Sequence, residues 1–152
     1  MKTLDQWYTE YALSHQHKTN LRIHFFCVPA IYFSIIGFFM SIPPSMLSQT
    51  LNLENPLIEN WGAPAVSIIL LFYVLLSVRL ALKMLLFSAI CILGNYYLSI
   101  IMPLFYTSLA IFFIAWIGQF YGHYIEGKKP SFFKDLQFLL IGPAWVIKKI
   151  FG

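Results

Sequence analysis

The stretch MLLFSAICILGNYYLSIIMPLFYTSLAIFFIAWIGQFYG, residues 84–122, is 39 residues long and contains no Asp, Glu, Lys or Arg. One helix of that length would rise about 58 Å at ~1.5 Å per residue, roughly twice the ~30 Å hydrocarbon core of a bilayer. The run therefore reads as two membrane-crossing helices joined by a turn. Gly94-Asn95 and Pro103 are the candidate breaks, and Pro103 divides the run more evenly. The expected spans are 84–102 and 103–122.

Upstream, Gly62 to Val78 is again uncharged, and Pro64 stands near the first helical position. Arg79 and Lys83 close this segment and can snorkel to an interface, so the expected span is 63–82. Phe25 to Ile42 carries no charge and ends at Pro43-Pro44. It is expected to span over 25–42, with Pro29 near its start, where a helix tolerates proline best. Residues 43–62 read as a loop with Glu54 and Glu59 and no Lys or Arg. At the N-terminus, Leu4, Trp7, Tyr8, Tyr11 and His15 make one helical stripe, which predicts an amphipathic helix over 3–15. Toward the C-terminus, Lys134 and Asp135 lie near the start of the apolar run 132–147 and Pro143 interrupts it. That run reads as an interfacial or half-inserted helix over 131–150, with Ser131 as its N-cap.

The reading is an all-α integral membrane bundle in a single domain, 1–152, with about four transmembrane helices and the two flanking helices. Composition agrees. The chain is 59% hydrophobic and 11% charged, where soluble domains carry about 25% charged residues. A formal charge of +4 without a basic, aromatic-interleaved polar region excludes nucleic acid as a partner. Cys27 and Cys91 lie in apolar runs without metal-ligand spacing and read as small hydrophobes. Residues 1–22 are polar and amphipathic, unlike a signal peptide. With four spans, all ten Lys and Arg residues fall on one side, which the positive-inside rule makes cytoplasmic together with both termini. The expected location is a bacterial inner membrane, or the endoplasmic reticulum in a eukaryotic host.

Three of the four histidines lie within Ser14–His24, and His123 stands about a hundred residues later. Imidazole is the commonest metal ligand, and ionisable groups at membrane depth usually have a partner. On one continuous helix His17, Asn20 and His24 share a face, while His15 and His24 point apart. Either His17 and His24 form the pair, or the helix breaks near Lys18-Thr19-Asn20 and His15 swings back beside His24. Downstream, His123 and Glu126 are helix-turn neighbours, and Gln119 lies four residues before His123 on the same face. Two or three histidines with one carboxylate suit iron(II), manganese or zinc better than calcium or magnesium. The ordinary alternative is interfacial histidines that hydrogen-bond to backbone or headgroups.

The pattern Tyr11-x-x-Ser14-His15-x4-Asn20-x3-His24-x3-Val28-Pro29, followed by Gln119-x-x-Gly122-His123-x-x-Glu126-Gly127-x-Lys129-Pro130-Ser131-Phe132, resembles the 2-hydroxy fatty acid dioxygenase family. The resemblance runs from Leu4 to about Trp145. It implies a membrane-embedded iron(II) enzyme that shortens a 2-hydroxy fatty acid by one carbon with molecular oxygen and without 2-oxoglutarate. By the same resemblance His15, His24 and His123 are the metal ligands, whereas His17 falls where the pattern requires no histidine; Glu126, His17, Asn20 and Gln119 stand as candidates for a further ligand or for the shell around the metal. The His-x-x-Glu spacing is that of bacterial members; the eukaryotic pattern has four residues, which leaves Glu126 open as a ligand. A 2-hydroxy acid can chelate iron through its carboxylate and hydroxyl, and three protein ligands leave room for it. Arg22, Lys128 and Lys129 are candidates to attract the carboxylate, and Phe25, Phe26, Trp116 and Phe120 to line the acyl chain. A zinc hydrolase, a haem protein ligated by His24 and His123, and a non-catalytic lipid-binding or scaffold protein are the rival readings.

Overall fold

The computed structural model describes residues 3–13, 15–52, 55–127 and 132–151, with the side chains of 51, 132–137, 150 and 151 excepted. Lys128, Lys129 and the expected cap Ser131 lie outside the described residues. The described residues form helices α1 (Leu4–Leu13), α2 (Lys18–Met40), α3 (Ser45–Leu51), α4 (Gly62–Leu76), α5 (Val78–Ile101), α6 (Leu104–Glu126) and α7 (Phe132–Phe151). No strand occurs among them. The protein is all-α. Three helices, α2, α5 and α6, are long and apolar enough to cross a membrane, and α4 is a shorter apolar helix.

Local chemistry explains the boundaries. Thr3 and Gln6 form a reciprocal cap on α1: the Thr3 N–H donates to Gln6 Oε1 (2.9 Å) and the Gln6 N–H to Thr3 Oγ1 (3.3 Å). Between α5 and α6, Met102 is extended (φ −142°, ψ 152°), as a residue before proline must be. Asn52 ends α3 in the left-handed region at φ 47°, where a short amide side chain is tolerated.

Three expectations are corrected. The segment 63–82 is not one helix: α4 stops at Leu76, and Ser77 turns extended at φ −171°. The Ser77 hydroxyl then accepts the Leu80 N–H at 3.4 Å and caps α5, so Arg79 and Lys83 lie in the opening turns of α5. A serine cap inside an apolar run was a weaker signal than the two charges that follow it. Second, the helix that carries the expected span 25–42 begins at Lys18, so Pro29 is interior to it and not near its start. In the polar turns 18–24 Asn20 and His24 are buried, the Asn20 amide N–H donating to Glu126 Oε2 and the His24 Nδ1 to the Asn20 carbonyl. Third, the loop 43–62 contains the seven-residue helix α3.

The chain divides into two compact units, Met1–Tyr32 with Phe112–Gly152, and Phe33–Ile111. In the first, α1 packs on α7 through aromatic edges. Trp7 and Tyr11 meet the Phe138 ring edge-on at 6.2 and 5.4 Å, and Tyr11 meets Trp145 at 5.2 Å. The Tyr8 hydroxyl donates to the Ala144 carbonyl (3.4 Å), and the Lys148 ammonium lies 4.5 Å over the Tyr8 ring. Burial, with a smaller contribution from the Asp5 charge, pushes the Tyr8 phenol up to about 12, so it stays a proton donor at any physiological pH. Residues Ile141 to Ile147 are all buried, and α7 runs unbroken through Pro143.

In the second unit α4 packs along α5. Asn95 is fully buried, and its amide donates to the Phe33 carbonyl (3.0 Å) and the Cys91 carbonyl (2.9 Å). Opposite it, Gly37 leaves no room for a side chain: a Cβ there would strike the Ser108 hydroxyl and come 2.5 Å from Asn95 Oδ1. Gly37→Val should therefore destabilise the fold by about 1–3 kcal/mol, the usual range for overpacking. Unfolding of the detergent-solubilised protein, followed by circular dichroism, measures this.

Candidate metal centre

The site begins with a break in the chain. α1 ends at Leu13, α2 starts at Lys18, and His15 stands between them. His17 caps α2, its Nδ1 accepting the Thr19 N–H at 3.2 Å, the role Asn or Asp usually plays. This settles the alternatives left open by spacing. His17 is exposed and outside the cluster, and the break carries His15 to His24.

His15, His24 and His123 converge. Their ring centroids are 4.2 Å (His15–His24), 5.3 Å (His15–His123) and 5.0 Å (His24–His123) apart. One potential ligand atom from each lies within 4.8 Å of the others. The residues are only 5%, 1% and 5% exposed. His15 Nδ1 donates to the Tyr11 carbonyl (2.6 Å) and His24 Nδ1 to the Asn20 carbonyl (3.0 Å). A carbonyl oxygen can only accept, so in both rings the proton sits on Nδ1 and Nε2 keeps the lone pair. Fixing the tautomer through the far nitrogen is the usual support of a histidine metal ligand. Tyr11 also stacks on His15 at 4.0 Å and 8°. The donor set thus fits a metal ion that accepts three imidazole nitrogens.

Helix spacing brings the neighbours. Val28 and Ile31 follow His24 by four and seven residues, and Gln119 and Trp116 precede His123 by four and seven. These four, the three histidines, Tyr11, Phe138 and Leu139 line a cavity of about 40 Å³. Its polar end is the histidine cluster and its other walls are mostly apolar. Gln119 is buried and lines the cavity with His24. Asn20 is wholly buried against Gly122, where any Cβ would strike its amide oxygen. That contact sets how closely α2 and α6 approach beside His24.

Several expected site residues lie elsewhere. Of the four aromatics expected to line an acyl chain, Trp116 is the one that lines this cavity. Phe26 is 80% exposed and Phe120 is 45% exposed, while Phe25 faces Trp145 at 6.1 Å. Phe25 and Phe26 follow His24 by one and two residues and so turn off its face of α2, while Phe120 packs on the Trp116 ring at 5.4 Å. Arg22 is exposed and is not among the residues lining the cavity. Glu126 reaches the chain break, with its Oε1 accepting the Gln16 N–H (2.8 Å) and its Oε2 the His17 N–H (2.9 Å) and the Asn20 amide (3.0 Å). The sequence reading gives none of Val28, Ile31, Phe138 and Leu139 a place in the site, although Val28 stands in the quoted motif. The i, i+4, i+7 step from His24 is the signal that finds the first two.

His17→Asn should retain the cap and leave bound metal at the wild-type level, whereas His15→Ala, His24→Ala and His123→Ala should each lose it. Elemental analysis of protein purified anaerobically in detergent measures the difference.

A family model described as 2-hydroxy-palmitic acid dioxygenase Mpo1-like matches residues 1–152. No curated protein and no solved structure matches the chain.

Proposed function

From this match the chain belongs to the 2-hydroxy-palmitic acid dioxygenase Mpo1-like family, and we propose that it is an iron(II)-dependent dioxygenase that shortens 2-hydroxy fatty acids by one carbon. The observation that carries the reading is the buried triad of His15, His24 and His123 at the polar end of a cavity with mostly apolar walls. The overall reaction balances without a further reductant. A 2-hydroxy acid and one oxygen molecule give the acid one carbon shorter, carbon dioxide and water. C1 leaves as carbon dioxide, and C2 is oxidised to the new carboxyl carbon.

In this reading His15, His24 and His123 hold the iron through Nε2 or its equivalent. Bound iron supplies the activation of oxygen and a Lewis acid for the substrate's carboxylate and hydroxyl. The rest falls to the chain. The carbonyls of Tyr11 and Asn20 keep the Nδ1 protons in place. Gln119 offers the site an amide that can hydrogen-bond a polar substrate group. Val28, Ile31, Trp116, Phe138 and Leu139 form an apolar wall, which favours an alkyl chain and keeps bulk water from a reactive centre. The three long apolar helices are compatible with a membrane location, where such a substrate dissolves.

The test is oxygen uptake by anaerobically purified, iron-loaded protein. Uptake equal to the 2-hydroxyhexadecanoic acid consumed, with pentadecanoic acid as product, is the expected result, and hexadecanoic acid should give none. Stoichiometric zinc in the purified protein with no oxygen uptake would overturn the proposal. Val28→Trp should shrink the cavity and raise KM for long-chain substrate at least about tenfold, the effect of losing roughly 1.4 kcal/mol of binding. Chain-length profiles of kcat/KM measure it.

A further inference from the structure

Glu126 makes three hydrogen bonds, all to the segment that presents His15 and His24. Two go to backbone N–H groups of the break, Gln16 and His17, which precede α2 and would otherwise need water or another acceptor. The third goes to Asn20, whose own carbonyl orients the His24 ring. Gln16 is covalently next to His15. Glu126 itself lies one helix turn beyond His123 on α6. One carboxylate is thus tied to all three histidines: to His15 through the adjacent peptide, to His24 through Asn20, and to His123 through the turn they share.

We propose that Glu126 is the positioning residue that docks the chain break onto α6 and so assembles the histidine triad, and that it is not itself a metal ligand. Both carboxylate oxygens are already engaged with donors on the break and on α2. Charge-assisted bonds of this kind are about twice as strong as neutral ones. A negative charge at the amino end of α2 is also favoured by the helix dipole. Without this latch α1, joined to α2 by the short break, keeps its packing on α7 but loses the fixed offset that holds His15 beside His24.

The proposal rests on the metal-centre reading only for its affinity measurement, so the experiment has two arms on the full chain in detergent. In the first, cobalt(II) is titrated into wild type, Glu126→Gln, Glu126→Ala and His15→Ala, and the visible ligand-field bands are followed. Glu126→Ala should weaken cobalt binding by about 10–100-fold, the usual effect of removing a group that supports a ligand. Glu126→Gln, which keeps one acceptor oxygen, should fall between it and wild type. At saturation both should recover the wild-type band pattern, whereas His15→Ala should not. In the second arm, hydrogen exchange is measured on metal-free protein. The Gln16 and His17 amides should exchange at least about tenfold faster in Glu126→Ala, by local opening. Wild-type affinity and wild-type exchange in Glu126→Ala would overturn the proposal. So would a saturated spectrum altered as in His15→Ala, which would make Glu126 a ligand. Failure of wild type to bind cobalt would instead count against the metal-centre reading, and the exchange arm would then decide the latch alone.

Discussion

Three imidazoles with potential ligand atoms within 4.8 Å of one another, almost wholly removed from solvent, impose the central constraint on this protein. Each ring must be held by something other than water. Two of the holds are visible, a backbone carbonyl one turn back from His15 and another one turn back from His24. Both use the same local geometry, a histidine Nδ1 reaching the carbonyl four residues before it. The rings are thereby set by the backbone itself, and the accuracy of the site depends on how three separate pieces of chain are placed.

That placement explains features that look unrelated in isolation. The break between α1 and α2 exists so that His15 leaves the face it would occupy on a continuous helix. His17, the histidine with the more favourable spacing to His24, serves instead as the cap that lets α2 begin. Glu126 gathers the amides exposed by the break, and Gly122 lets α6 approach the buried Asn20. Aromatic edges between α1 and α7 supply the apolar backing, with Tyr11 both stacked on His15 and packed against Phe138 and Trp145.

The cavity beside the cluster gives the arrangement its chemical direction. Polar donors converge at one end, and the remaining walls come mostly from side chains at helical steps from the same histidines. Binding one end of a molecule through oxygen atoms and the rest through apolar contact is what an amphipathic acid requires. The family to which the chain belongs carries a name of that kind of substrate. The second unit is built on a different principle. Buried Asn95 satisfies backbone carbonyls, and Gly37 makes room for it, which places polar groups among apolar helices without exposing them.

The sequence by itself determined the all-α class, because long uncharged runs leave a chain few ways to satisfy its backbone except in helices. It also determined which histidines to examine, since His15, His24 and His123 stand in two separated motifs whose resemblance to a family extends along most of the chain. It misplaced the end of α4, because a serine cap such as Ser77 depends on one hydroxyl meeting one N–H, and hydropathy does not register that. Only the tertiary structure decided between His15 and His17. Helical spacing favours His17, yet the structure brings His15 beside His24 across a break whose amides bond a carboxylate more than a hundred residues away. The cavity walls are legible in the sequence only in part: helical steps from His24 and His123 reach Val28, Ile31, Gln119 and Trp116, but Phe138 and Leu139 come from the distant α7. Phe25 and Phe26 sit next to His24 in sequence but off its helical face, whereas Val28 and Ile31 lie on it. Contacts between residues distant in the chain carry no local signature, and at this site they decide which histidine joins the cluster and part of the surface that faces it.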